Sequence, residues 1–315
     1  MQLIIDGDPI VYRAGFAGQK VDKNVVYYDP HMDEPIDLSF TRTENKTANK
    51  LFNEWHEAHG YDILDEWEEV IPEPLDHVLA TVRHMIRDCI TATAKHFNLD
   101  VFDITYRVIL SGPGNFRNEV ATVRPYKGNR KEDNKPYWYQ QIRNYMTEQW
   151  DAEVVEGREA DDECSILARR DPNAIICTID KDLDQVPGWH YDYWRQSFYF
   201  TAPTEGEVLF YKQVLQGDST DNIPGAYKIG KVTAAKITEE VILEHGMDHM
   251  KIWDAIVDTY QSTLDTHGEA CPYYGMEAEA VAIEMARLVK MQEYPGQLWT
   301  PPGQEDELLE LEFEE

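Results

Sequence analysis

Cysteine is scarce in this chain of 315 residues. Cys89, Cys164, Cys177 and Cys271 are scattered with no CxxC pair, which excludes a cysteine zinc site and a disulfide framework and suits a reducing compartment. Long apolar runs are also absent. None approaches the roughly 18 residues that a membrane span requires. The first residues enter a strand-like segment with no basic leader. The expectation is a cytoplasmic protein, in a host cytoplasm if phage-encoded, with no membrane partner. Positive charge is the third shortage: 29 Lys and Arg stand against 59 Asp and Glu, for a formal net charge of −30. Taken as a sum, that argues against nucleic acid, whose phosphates are held by Lys and Arg.

The distribution reverses part of that argument. Residues 54–76 carry nine acids and no Lys or Arg, and the tail after Gln304 ("EDELLELEFEE") is strongly acidic. Between them, "FRNEVATVRPYKGNRK" gathers Arg117, Arg124, Lys127, Arg130 and Lys131, with Phe116 and Tyr126 interleaved. Such a mix can hold backbone phosphate and stack a base, or stand as a solvated basic loop.

Hydrophobic periodicity organises the rest. "LII" (3–5), "TYRVILSG", "AEVVEG" and "AIICTID" read as buried strands; "PEPLDHVLATVRHMIRDCITATAKHFN" predicts a long helix around 75–97, and "YWYQQIRNYMTEQW" and "ADDECSILARR" predict further helices. "WHYDYW" through "FYFT" adds more strand. Strands alternating with helices predict an α/β, doubly wound, mostly parallel sheet over residues 1–202. A polar, irregular and acidic insertion is expected at 20–72, a smaller helical domain at 203–292, and a flexible acidic tail at 293–315.

In such a sheet the functional crevice lies beyond the carboxyl ends of the strands. Asp6 and Asp8 follow the first strand, Glu159, Asp161 and Asp162 the third, and Asp180 and Asp182 the fourth; Asp218 and Asp221 open the helical region. On extended backbone, residues i and i+2 point the same way, so Asp6 with Asp8 and Asp180 with Asp182 could each aim at one spot. Asp218 and Asp221 share a side if their turn is helical. Glu159 must sit just before its helix to join Asp161. Each motif alone has a bland reading: "DGD" as a turn or cap, "EADD" as an acidic first turn, "DKDLDQ" as a solvated loop, "GDSTDNIPG" as a turn with a cap. Together they predict a site. Converging carboxylates repel one another, and divalent cations relieve that repulsion. Oxygen ligands without His or Cys select Mg²⁺ or Mn²⁺, and two such ions can activate water and stabilise the departing oxygen of a phosphodiester. "IPGAYKIGKVTAAKI" places Gly225 and Gly230 around a tight turn, with Lys228 and Lys231 able to contact phosphate, or forms a plain interhelical turn.

"EADD", "TxDKDxxQ", "GDxxDNIPG" and the following "IG", in that order, resemble the 5′-nuclease superfamily: flap endonucleases, phage 5′→3′ exonucleases and the 5′→3′ exonuclease domain of DNA polymerase I. The likeness spans residues 3–16 and 105–245. It implies a PIN-like α/β fold with a C-terminal helix-three-turn-helix, hydrolysis of DNA at 5′ ends or flaps in phage replication or recombination, and a monomer. It implies two Mg²⁺ or Mn²⁺ ions, one held by Asp6, Glu159 and Asp161 with Asp162 adjacent, the other by Asp180, Asp182, Asp218 and Asp221. Lys127 and Arg130 match the basic residues that approach the scissile phosphate. Arg117, Arg124, Tyr126, Lys131, Gly225, Lys228, Gly230 and Lys231 complete the implied DNA surface, with K⁺ at the 223–230 hairpin in some members. One departure stands out: where the family carries an Asp shortly before "FR", this chain has Gly112. A branched-DNA binding protein without turnover is therefore the alternative. A haloacid-dehalogenase-type phosphohydrolase, suggested by "IIDGDPI", fits less well, with Ile10 in place of the expected Thr or Val.

Overall fold

The computed structural model describes residues 1–29, 34–41, 54, 57–58, 62–130 and 135–304, of which 23–29, 34–41 and 62–66 are described by backbone alone. The chain forms two compact units, one of Met1–Pro9, Ile86–Asn134 and Thr147–Glu315, the other of Ile10–Met85 and Lys135–Met146.

The first unit is built on β1 (Gln2–Asp6), a strand with an unbroken apolar centre. Leu3, Ile4 and Ile5 are wholly buried, each contributing about 1.5–3 kcal/mol by burial. Strand β1 lies parallel between β5 (Thr105–Ser111) and β7 (Ile175–Cys177). With β6 (Glu153–Val155), β8 (Gly188–Asp192) and β9 (Ser197–Thr201) they form a six-stranded sheet in the order β6-β5-β1-β7-β8-β9. All pairings are parallel except the β8–β9 hairpin. This is the expected mostly parallel α/β class. A central strand flanked by parallel neighbours delivers its carboxyl end to the middle of one sheet edge.

Helix α5 (Ala160–Arg170) packs Cys164, Leu167 and Ala168 against Ile4, Ile109 and Ile176. Helices α6 (Pro203–Gln216), α7 (Lys231–His245), α8 (His249–His267) and α9 (Ala278–Val289) bury a second cluster containing Phe210, Val214, Trp253, Tyr260 and Met285. They belong to the same compact unit as the sheet. Pro203 opens α6, where a missing N–H costs nothing.

The second unit corrects the expectation of an irregular insertion. Strands β2 (Gln19–Asp29), β3 (Glu34–Thr41) and β4 (Asp62–Pro72) form an antiparallel sheet in the order β3-β2-β4. The chain enters it through α1 (Asp8–Ala17) and leaves by α2 (Leu75–Phe97), whose limits match the predicted helix. A Cβ on Gly15 would stand 2.5 Å from Pro136, so only glycine allows that approach. Among the described residues no helix is long and apolar enough to cross a membrane. Lys131 and the tail from 305 onward lie outside the described residues.

Candidate metal and nucleic-acid site

The carboxyl edge of the parallel sheet carries the acids. Asp6 ends β1 and is 3% exposed; the Thr178 hydroxyl donates to its Oδ2 at 2.9 Å. Burial, then Asp8 and Asp180, push its carboxyl well above the usual range. Asp8 is not on extended backbone, as expected, but opens α1 and accepts the Ser111 N–H at 3.1 Å. The two aspartates are thus aimed by different elements, and the i, i+2 argument fails there. It fails again at Asp182, which opens a 3₁₀ turn (Asp182–Gln185) and whose N–H donates to Asp180 Oδ1. The Asp218–Asp221 turn is closed by an antiparallel bridge between Asp218 and Ile223, not by a helix.

Glu159 has extended backbone at the N-cap of α5, the position the sequence required, and Asp161 lies in the first turn. Burial, Asp162 and Glu159 raise the Asp161 carboxyl strongly. Asp180 is raised by burial and by Asp221 and Asp218, against a lowering hydrogen bond from Asp182. Burial, with Asp180 and Asp218, carries Asp182 to about 7.

A cleft of about 340 Å³ gathers Asp161, Asp180, Asp182, Asp218 and Asp221, with Tyr126, Lys127 and Arg130 also on its wall. The basic residues are turned inward onto acids. Lys127 pairs with Glu159, and its ammonium lies 3.6 Å from Asp221. Burial works against the Lys127 charge, but Glu159 and Asp221 outweigh it and raise the ammonium. Burial likewise opposes the Glu159 charge, while Lys127 and Arg117 win and lower its carboxyl. Arg130 reaches Asp221 at 2.5 Å. The Tyr126 hydroxyl stands 2.6 Å from Glu159 and 2.7 Å from Asp221, so one proton bridges two acceptors. Lys127 itself sits at φ +53°, uncommon for a side-chain-bearing residue and a form of strain that clusters at functional sites.

Three expected roles are overturned. Arg117 is 1% exposed and cannot lie on a DNA surface. Its guanidinium donates to both oxygens of fully buried Asp162, at 2.5 and 2.9 Å. Those oxygens also accept from the N–H groups of Glu159 and Gln292, which occupies the lone pairs a metal would need and removes Asp162 from the ligand set. Gly225 is likewise no surface contact: it is buried at φ +62°, and a Cβ there would stand 2.3 Å from the Gly217 nitrogen. Arg124, Lys228, Gly230 and Lys231 are exposed, Gly230 capping α7.

Sequence reasoning missed three supports. Besides holding Asp6, Thr178 Oγ1 accepts the Asp180 N–H at 3.0 Å. Gln213 donates to Asp182 at 2.6 Å and accepts from Gln185, whose amide also donates to the Val289 carbonyl. The Thr and Gln within "TxDKDxxQ" were the available signal.

As they stand, no three His, Cys, Asp or Glu side chains among the described residues are arranged to hold a metal ion. The donor chemistry nonetheless fits a hard divalent cation. No salt bridge among the described residues reaches Asp6, Asp161, Asp180, Asp182 or Asp218, and four of these have carboxyls raised by burial and mutual repulsion.

No protein-family model and no curated protein matches the sequence. Solved structures do. The T5 D15 protein, co-crystallised with metal ions, is 16% identical over 91% of this chain and 88% of that one, with a TM-score of 0.49. The bacteriophage T5 D15 flap endonuclease, in a pseudo-enzyme–product complex with DNA and metal ions, is 13% identical over 91% and 98%, with a TM-score of 0.44. The catalytic core of Rad2, in complex with DNA substrate, is 15% identical over 71% and 76%, with a TM-score of 0.38. Identities and TM-scores this low assign this chain neither family, activity nor ligand.

Proposed function

We propose that this chain is a divalent-metal-dependent nuclease that hydrolyses DNA phosphodiesters at 5′ ends or flaps. One observation carries the reading: acids from β1, the start of α5, the loop after β7 and the 218–221 turn gather at one sheet edge, where Lys127 and Arg130 pair only with Glu159 and Asp221 and no salt bridge among the described residues reaches Asp6, Asp161, Asp180, Asp182 or Asp218. Asp6, Glu159 and Asp161 on one side, and Asp180, Asp182, Asp218 and Asp221 on the other, would hold the ions. Magnesium-like ions supply activation of water and stabilisation of the departing oxygen. The chain's own part is positional. Thr178 and Gln213 fix two of the acids, and Tyr126 spans Glu159 and Asp221. Once these acids are otherwise compensated, Lys127 and Arg130 are free to meet a phosphate and stabilise charge developing on it. Exposed Arg124, Lys228 and Lys231 would hold backbone without reading sequence.

Gly112 favours a second reading, a branched-DNA binder without turnover. A Cβ at this position would stand 2.4 Å from the Val155 carbonyl oxygen, so no carboxylate fits there without moving the backbone. Mixing the protein with a 5′-flap duplex in Mg²⁺ or Mn²⁺ decides between them. Release of 5′ fragments supports the nuclease; tight binding with intact DNA overturns it in favour of the binder.

A further inference from the structure

Arg117 has more partners than an ordinary buried ion pair requires. It sits in α3 (Arg117–Val120), a single turn after β5. Besides its two bonds to Asp162, Nε donates to the Leu288 carbonyl at 2.8 Å and Nη2 to the Lys290 carbonyl at 3.1 Å. These carbonyls belong to the segment leaving α9, whose Leu288, Val289 and Met291 line the acidic cleft. The guanidinium lies 4.7 Å from the Phe116 ring centre and 5.9 Å from that of Tyr126, and 3.7 Å from Glu159 Oε2. Asp162 relays the same grip to backbone, accepting the Glu159 N–H at 3.3 Å and the Gln292 N–H at 3.2 Å.

Stability alone gives little reason for this arrangement. Desolvating two charges cancels most of their attraction, and apolar residues of similar volume often replace such pairs without loss. Placement is what the pair supplies. Glu159 is aimed by its backbone N–H and by the nearby cation, Tyr126 by the cation at its ring, and the 288–292 wall by two carbonyl bonds and one N–H. We propose that Arg117 and Asp162 form a positioning pair that sets the metal affinity and turnover of the acidic site while touching neither metal nor DNA. The proposal rests on the nuclease reading for its turnover arm only.

The test compares R117K, which keeps the charge and loses the fork, and R117M/D162L, which replaces the pair with apolar residues. Both are measured for melting temperature, Mn²⁺ affinity by calorimetry, flap-cleavage kcat and KM, and DNA affinity across a salt series in EDTA. In folded variants, Mn²⁺ affinity and kcat are expected to fall about 10- to 100-fold, the usual effect of losing a partner that orients a ligand. DNA affinity, its salt slope and KM are expected to stay within about twofold of the wild type. Wild-type Mn²⁺ affinity and kcat in a folded R117M/D162L would show a merely structural pair and overturn the proposal. A DNA salt slope reduced by about one would make Arg117 a phosphate contact and also overturn it. If the double variant does not fold, R117K carries the same comparison. If the wild-type protein binds Mn²⁺ but cuts no DNA, the nuclease reading fails, and the drop in Mn²⁺ affinity alone still supports or overturns the pair.

Discussion

Replacing Asp182 by Asn in the metal-free protein should stabilise it, and only where the carboxyl would be charged. In the folded chain burial, Asp180 and Asp218 lift Asp182 from 3.8 to about 7. Each unit of such a shift corresponds to about 1.4 kcal/mol. Above pH 7 the full cost would be about 4 kcal/mol; allowing for screening at a partly exposed group, about 2 kcal/mol is expected. The sign follows from proton binding. The folded state holds the Asp182 proton more tightly than the unfolded state, so the cost is absent below about pH 4, grows as pH rises and is complete above about pH 7. Asn removes the charge and can still accept the Gln213 bond. Thermal melts in EDTA should therefore show D182N about 3 °C above wild type at pH 8 and level with it at pH 4. Saturating Mg²⁺ at pH 8 should narrow the gap by stabilising the wild type more. Equal melting temperatures at pH 8, or the same gain at both pH values, would refute the reasoning that these acids repel one another in the fold.

Asp161→Ala and Asp180→Ala should each abolish cleavage of a 5′-flap substrate while leaving the circular dichroism of the metal-free protein unchanged; wild-type rates in either would remove that residue from the ligand set. Lys127→Ala should lower kcat by at least about tenfold and weaken duplex binding far less, and equal losses in both would count against a role at the scissile phosphate. Gly112→Asp should destabilise by about 1–3 kcal/mol, because its Cβ meets the Val155 carbonyl, and should not raise Mn²⁺ affinity; a gain in affinity without loss of stability would show that the backbone yields there. His190 is buried, and its depressed pKa, caused first by that burial, keeps the ring neutral in the fold. It therefore contributes stability above about pH 6.5 that is lost as pH falls further, so His190→Gln should flatten the acid limb of the stability curve measured in urea; an unchanged limb would contradict this.

Much of the fold was legible because apolar periodicity is strong where both faces of an element are covered. The 75–97 helix, α5 and the four helices after residue 203 follow their patterns closely. The antiparallel sheet at 19–72 was hidden by its many acids, which mask strand periodicity in "KVDKNVVYYD" and "DEWEEVIP". Helix α1 was missed because "LIIDGDPI" reads as one extended run, although Pro9 sits near a helix start. The acids were found in order, but their aim was not: Asp8 and Asp182 each open a helical turn, which local spacing on extended backbone cannot express. Arg117 shows the harder limit. In sequence it is one more cation in a basic segment, and only tertiary packing, which joins it to Asp162 and the carbonyls after α9, reveals that it is buried.

Soaking crystals of the protein in Mn²⁺ and locating the ions by anomalous scattering tests the central claim most directly. One or two ions are expected among Asp6, Asp161, Asp180, Asp182 and Asp218, with Lys127 and Arg130 turned away from Glu159 and Asp221. Ions found only on acids elsewhere, with this group empty at saturating Mn²⁺, would contradict it.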